Sequence, residues 1–248
     1  QKYLRGVVGI RAGSDTYPGA GLLSVAGAAT GLVGMVRYVG DDCVLDLVRA
    51  AHPEVVGAGR VQAWVVGSGS GEAAADTLAE ALADDVPVVI DADALDHAPR
   101  AADGRPDVIL TPHAGELARM LGVERAEVEA RPLAHARRAA REYGAVVLLK
   151  GRHTLVVDAD GGAVRATTTG LPWLATAGAG DVLGGVIGAL AAAGLTPYDA
   201  ASVGSWLHGA AATRAARGGP IVAGDVARAV PEVVGDLLAV QGMKQSGP

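Results

Sequence analysis

The chain alternates short, continuously apolar runs with longer stretches in which apolar positions recur at helical spacing. Strands are predicted at 7–10, 35–39, 63–66, 88–91, 108–110, 146–150 and 155–158. Helical patterns fall between them, near 20–29, 42–51, 72–83, 115–121 and 132–143. After Thr167 the character changes to helices near 181–193, 198–217 and 225–240, with no good strand among them. Strands that are apolar at every position are those buried on both faces. Strand and helix in alternation imply parallel crossovers, hence a central, mostly parallel sheet with helices on both faces. The expected class is α/β: one domain over residues 1–240, then a flexible tail at 241–248. No Pro- or Ser-rich linker divides it, and no internal repeat appears.

Composition narrows how that sheet is packed. Hydrophobic residues make up 50% of the chain but aromatics only 3%, with no Phe, so the core must be built from Ala, Val and Leu. The 36 glycines among 248 residues are about twice the usual share and follow no collagen-like period. They point to tight turns and close backbone approaches. The balance of 21 basic against 27 acidic residues, net −6, carries no basic cluster of the kind nucleic acid requires. Arg137, Arg138 and Arg141 read as one solvated helix face. Cys43 is alone, which excludes an internal disulfide and a Cys-rich zinc site and suits a reducing cytoplasm. Its amphipathic setting makes it an expected core residue. The stretch 16–36 is uncharged and long enough by count to span a membrane, but its glycines, proline and hydroxyls make it a poor spanning segment. A small-residue helix against a sheet is the better reading. The chain opens on Gln1 without a signal-peptide pattern, and a trimmed N-terminal domain is expected ahead of it.

Open parallel sheets bind ligands at the carboxyl ends of their strands, so the loops after each strand are the ones to inspect. The first is Thr-Ala-Gly-Ala-Gly-Asp at 176–181, running straight into an apolar helix. Gly178 and Gly180 let the backbone approach a ligand, and the first turn of the helix offers N–H groups and a positive dipole end. Asp181 would repel a phosphate held there. It makes sense as a base that takes a proton from a nucleophile attacking that phosphate, as an organiser of metal-bound water, or as an ordinary N-cap. No Lys-Ser/Thr follows, so this is not a Walker A loop.

The second loop, Gly-Ser-Gly-Ser-Gly at 67–71, invites a dinucleotide reading with Asp91 at the end of the next strand. Against it, the third fingerprint glycine would be Glu72, an acid where a pyrophosphate needs positive potential. A different ligand-facing loop and a plain tight turn both stay open. The third, Thr-Pro-His-Ala-Gly-Glu at 111–116, brings His113 to the carboxyl edge with no second His for zinc. Ligand contact, capping and packing are all compatible with it. In the fourth, Lys150 closes a buried strand, which is costly unless its ammonium meets an anion or opens to solvent. Lys150 and the Thr154 hydroxyl suit a nucleotide phosphate; the alternative is a hairpin turn with a snorkelling Lys. No Gly-x-Ser-x-Gly elbow supplies a hydrolase nucleophile.

These residues together resemble the ADP-dependent NAD(P)H-hydrate dehydratases, whose ribokinase-like domain is similar to carbohydrate and vitamin kinases. The resemblance runs over residues 3–240, with motifs in family order: 17–21, 67–71, Asp-Ala-Asp-Ala-Leu at 91–95, 111–116, 150–154 and 178–181. Ser68 and Ser70 stand where Pro and Leu are common, Ala114 where Pro is frequent and Ala179 where Thr is frequent. None of these removes a charged group.

The resemblance implies removal of the C6 hydroxyl from the S epimer of hydrated NADH or NADPH at the expense of ADP, giving AMP and phosphate. On that basis Asp181 contacts the substrate and acts as base, while Gly178 and Gly180 steady the transferring phosphoryl group. Lys150, Gly151, Arg152, His153 and Thr154 would hold the nucleotide, with Mg²⁺ shared among its phosphates. Ala20, Gly69 and His113 would line the hydrate pocket. A cytoplasmic homotetramer and an epimerase partner, fused or separate, are further implications. A vitamin or thiazole kinase of the same superfamily is the alternative, though it has no use for 111–116 in this form. A nucleotide sensor would need the anion hole but not the base.

Overall fold

The computed structural model describes residues 1–101 and 107–245. Its strands are β1 (Val7–Arg11), β2 (Met35–Tyr38), β3 (Ala63–Val66), β4 (Val88–Ile90), β5 (Val108–Leu110), β6 (Val146–Leu149), β7 (Thr154–Val157) and β8 (Val164–Thr167). They form one sheet in the order β2-β1-β3-β4-β5-β6-β7-β8. The first six are parallel, with Val8 of β1 opposite Val36 on one side and Ala63 on the other. β7 and β8 then turn back as antiparallel hairpin strands.

The helices are α1 (Pro18–Ala28), α2 (Asp42–Ala51), α3 (Ala74–Leu82), α4 (Ala114–Leu121), α5 (Arg125–Ala130), α6 (Pro132–Tyr143), α7 (Ala179–Ala192), α8 (Pro197–Ala216) and α9 (Ala223–Gln245). Alternate strand residues feed two cores, which is why the strands are apolar throughout. Val8, Ile10, Val65 and Val89 pack with α1, α7, α8 and α9 on one face. Val7, Trp64, Val66 and Ile90 pack with α3, α4 and α6 on the other. Each such side chain contributes about 1.5–3 kcal/mol when fully buried.

The scarcity of aromatics has a structural counterpart in α1 and α7. A Cβ on Gly185 of α7 would overlap the Ser24 carbonyl, and one on Gly27 of α1 would overlap that of Val182. The two backbones therefore touch. Gly188 likewise brings α7 down onto Val65 of the sheet. The uncharged stretch 16–36 divides into α1 and the start of β2, and among the described residues no helix is long and apolar enough to cross a membrane.

Several details differ from the sequence reading. α5 and β8 were not expected, because Arg-Ala-Glu-Val-Glu-Ala buries only Val128 and Val-Arg-Ala-Thr forms an edge strand with an exposed middle. Cys43 is exposed rather than buried, since α2 presents Val44 and Val48 to the core and Cys43 stands one position off that face. Helical backbone in α9 continues past Pro231 to Gln245, over the first residues of the expected tail; 246–248 lie outside the described residues.

Candidate active site

The predicted strands at 88–91 and 146–150 each end one residue early in the structure, leaving Asp91 and Lys150 just past the carboxyl ends of β4 and β6. Lys150 Nζ donates to Asp91 Oδ1 at 2.7 Å and lies 3.7 Å from Glu116 Oε2. The anion that a buried strand-end lysine requires is thus supplied by the protein itself. Desolvation alone would lower the Lys150 pKa, but Asp91, Glu116 and Asp181 outweigh it and hold the ammonium above its ordinary value.

This ion pair lies against the start of α7. A Cβ on Gly180 would come within 3.5 Å of Lys150 Nζ and 3.6 Å of Asp91 Oδ2, so the helix begins directly over the pair. Gly178 is its N-cap, with φ +84° and no side chain to close the turn. A residue with a Cβ would be strained there and would also strike Leu23 of α1. The Ala179 N–H goes to the Thr176 carbonyl at 3.3 Å. Asp181 follows as the third helical residue, half-buried. Burial pushes its carboxyl up to about 6; a hydrogen bond from Ser68 and the Lys150 charge pull it down, and the Asp91 charge pushes it further up. A carboxylate so placed is able to accept a proton near neutral pH, and it does not cap the turn.

Ala20 and Gly69 come together at the same carboxyl edge of the sheet. A Cβ on Gly69 (φ +64°) would lie 2.7 Å from Ala20 Cβ and 3.0 Å from Tyr17 Cβ, so the loop after β3 rests on the first turn of α1. The Ser68 carbonyl accepts from Gly13 N–H at 2.7 Å, fixing that loop to the end of β1. His113 is the N-cap of α4: its Nδ1 accepts from the Gly115 and Glu116 N–H groups at 3.0 and 3.1 Å, and Glu116 Oε2 accepts from the His113 N–H at 2.6 Å. An accepting Nδ1 is unprotonated, which fixes the ring as the Nε2–H tautomer. Through Glu116, His113 is tied to Lys150. Gly151, Arg152 and His153 form the exposed turn between β6 and β7, and Thr154 opens β7 half-buried.

Sequence reasoning gave no individual role to Glu116 or Ser68 and cited Asp91 only for the dinucleotide reading it set aside, although all three lie in the quoted motifs. The available signal was the cost of Lys150, which called for a nearby acid. Asp91 ends a buried strand in the same way, and buried charges come in pairs.

A mostly parallel sheet whose carboxyl edge holds a glycine-led helix start and a partly desolvated acid defines a ribokinase-like α/β protein. Within that class the chain belongs to the NAD(P)H-hydrate dehydratase family, whose model matches residues 8–229. It is 43% identical to the bifunctional NAD(P)H-hydrate repair enzyme of Mycobacterium leprae over 95% of this chain and 51% of that one. It is 36% identical to the ADP-dependent (S)-NAD(P)H-hydrate dehydratase of Xanthomonas campestris, over 89% of this chain and 79% of the relative. The ADP/ATP-dependent NAD(P)H-hydrate dehydratase of Bacillus subtilis, co-crystallized with ATP/Mg²⁺, superposes with a TM-score of 0.88 at 30% identity, covering 95% and 91% of the two chains. The chain spans about half the length of the bifunctional relative from M. leprae. A hydroxyethylthiazole kinase from Pyrococcus horikoshii, at 18% identity and a TM-score of 0.63, shares the fold alone.

Proposed function

We propose that this chain carries out ADP-dependent dehydration of the S form of hydrated NADH or NADPH, restoring the reduced cofactor and releasing AMP and phosphate. The observation that carries the proposal is Asp181, its pKa raised to about 6, set in an uncapped helix start beside Lys150, Asp91 and Ser68. The names of the X. campestris and B. subtilis relatives support the same reaction.

Hydroxide is a poor leaving group and phosphate a good one. Asp181 takes the proton of the C6 hydroxyl as its oxygen attacks the β-phosphorus of ADP, and the bond to AMP breaks. The α7 start meets the charge of the transferring phosphoryl group. The C6–O bond then breaks with departure of phosphate, pushed by the ring nitrogen, and loss of a proton from C5 restores the double bond. Lys150, released in part from Asp91, would meet the nucleotide phosphates, with the 150–154 turn alongside. Ala20 and Gly69 would face the nicotinamide ring, and His113 would approach it through its Nε2–H edge.

Among the described residues no group of three or more His, Cys, Asp or Glu side chains is placed to hold a metal ion. Asp91 and Glu116 are already committed to Lys150, so the site fits Mg²⁺ held chiefly by the ADP phosphates. Bound there, it would neutralise phosphate charge. In a longer protein the second activity would be epimerisation of the same hydrate, which would supply the S form.

The test is to incubate the chain with hydrated NADH, ADP and Mg²⁺ and to follow the near-ultraviolet absorbance of the reduced nicotinamide ring. Recovery of that band with stoichiometric AMP is expected. No recovery, with phosphorylation of a vitamin alcohol instead, would make this a small-molecule kinase.

A further inference from the structure

The motif at 91–95 holds a second acid that the reaction above does not use. Asp91, just past β4, is spent on Lys150. Asp93, two residues on, accepts the Gly71 N–H on its Oδ2 at 2.8 Å. Gly71 ends the loop after β3 and opens the 3₁₀ turn that leads into α3. β4 lies beside β3 in the sheet, with β5 and then β6 on its other side. Its end is therefore where one short motif reaches both Lys150 and the loop that carries Gly69.

That loop has to be held by its contacts. Gly67, Gly69 and Gly71 have φ of +113°, +64° and +53°, conformations that glycine enters readily and that cost it the most freedom to fix. At the start of the loop the Gly67 N–H donates to the Arg11 carbonyl at 3.2 Å. The Gly13 N–H donates to the Ser68 carbonyl one residue later, so β1 secures this end. Asp93 meets the other end, where packing offers no hold: around a Cβ built on Gly71 there is nothing within 4 Å. The bonds beyond it, from the Ala73 N–H to the Ser70 carbonyl and from the Ala74 N–H to the Gly71 carbonyl, orient the turn only relative to α3.

The residue between the two acids is strained. Ala92 has φ +50°, and among the described residues Arg217 is the one other non-glycine with positive φ. Arg217 caps the end of α8, where a left-handed residue is ordinary; Ala92 ends no helix. Such a conformation persists where the surroundings over-determine it, and here it is bracketed by the Asp91 bond to Lys150 and the Asp93 bond to Gly71. We propose that Asp93 is a positioning residue for the hydrate side of the site. It fixes the far end of the 67–71 loop, so that Gly69 stands against Ala20 ready for the nicotinamide ring. The proposal rests on the reading of that loop as the hydrate side, and it gives the two acids of one motif separate tasks.

The experiment compares wild type with Asp93→Ala and Asp93→Asn. It measures KM for hydrated NADH at saturating ADP and Mg²⁺, Kd for ADP by calorimetry, and hydrogen exchange at the Gly71 amide. Asp93→Ala should raise KM about ten-fold, leave the Kd for ADP within about two-fold and speed exchange at Gly71. Asp93→Asn, whose amide oxygen still accepts the Gly71 N–H, should keep KM and exchange near wild type. Unchanged KM in Asp93→Ala overturns the proposal. Equal losses in KM and in ADP affinity also overturn it, because the contact then supports the whole site rather than one side. So does an Asn variant as weak as the Ala variant, since the effect then follows charge and not the hydrogen bond. Should Asp93→Ala fail to fold, the other two proteins decide: slow Gly71 exchange in wild type, kept in Asp93→Asn along with KM, supports the proposal. Exchange at the rate of an open amide in wild type, or slow exchange lost in Asp93→Asn with KM unchanged, overturns it. A wild-type chain that binds ADP but does not restore hydrated NADH refutes the reaction itself and takes this proposal with it.

Discussion

Two helices start at the same edge of the sheet with an acid in their third position, and they use it in opposite ways. In α4 the first turn is closed: His113 takes the N–H groups of Gly115 and Glu116, and Glu116 turns back onto His113. In α7 the N-cap is Gly178, no side chain caps the turn, and Asp181 faces Ser68 and the Lys150–Asp91 pair. A capping box satisfies orphan donors within the chain. Withholding the cap leaves donors and dipole for a ligand. On the proposed reading, an anion site is made here by what the helix start lacks. Lys150 stands between the two starts, near Glu116 of one and beneath Gly180 of the other.

The largest effect should come from breaking the difference at its acid. Asp181→Asn keeps the shape and should change stability by about 1 kcal/mol or less, yet lower kcat about 10²–10⁴-fold. ADP affinity should hold or rise, because a charge facing the phosphates is gone. Wild-type kcat in this variant would reduce Asp181 to a second cap and erase the contrast with Glu116. In the unmodified chain kcat/KM should fall as pH is lowered through about 6, where Asp181 takes up a proton and can no longer accept one. A profile flat through that region would remove Asp181 as the base.

Next in size is the lysine shared by both starts. Lys150→Met leaves Asp91, its side chain only 4% exposed, without its partner. Breaking such a pair from one side costs about 3 kcal/mol, read as a lower denaturation midpoint. ADP affinity should fall as well. Adding Asp91→Asn should restore part of the stability but none of the affinity. If the two single losses simply add, the pair is not coupled and Lys150 belongs to the nucleotide alone.

The smallest effect is expected at the closed start. His113→Ala removes the cap of α4 and should cost about 1 kcal/mol of stability. ADP affinity should survive while KM for the hydrate rises, sharpening the division between a phosphate side and a ring side. A fall in ADP affinity with KM unchanged would show the two sub-sites to be reversed.

Much of this arrangement was legible in the residues. The strands were readable because fully buried parallel strands are apolar at every position, as in Val146–Leu149. The loops followed from the rule that ligands sit at carboxyl ends. β8 was not legible, because an edge strand with Arg165 in its middle has no buried face to advertise. The difference between α4 and α7 was only half legible. Both begin with a small residue, a glycine and an acid, and whether the acid closes the turn depends on the N-cap and on what lies opposite. Ser68, Asp91 and Lys150 reach Asp181 from three separate strands, and no local pattern records that meeting.

The contact of Gly27 with Val182, and of Gly185 with Ser24, works as a fixed spacer. α1 carries Ala20 toward the carboxyl edge and α7 carries Gly178 and Asp181 there, and at these two crossings the helices meet backbone to backbone. A phosphoryl transfer needs the attacking oxygen and the phosphorus held at about 3–3.5 Å, and small errors in that separation are expensive. A side chain at either glycine would overlap backbone atoms of the facing helix and force the two apart. On the proposed reaction, the separation of hydroxyl and phosphate would depend on a place remote from both, where two helices meet backbone to backbone.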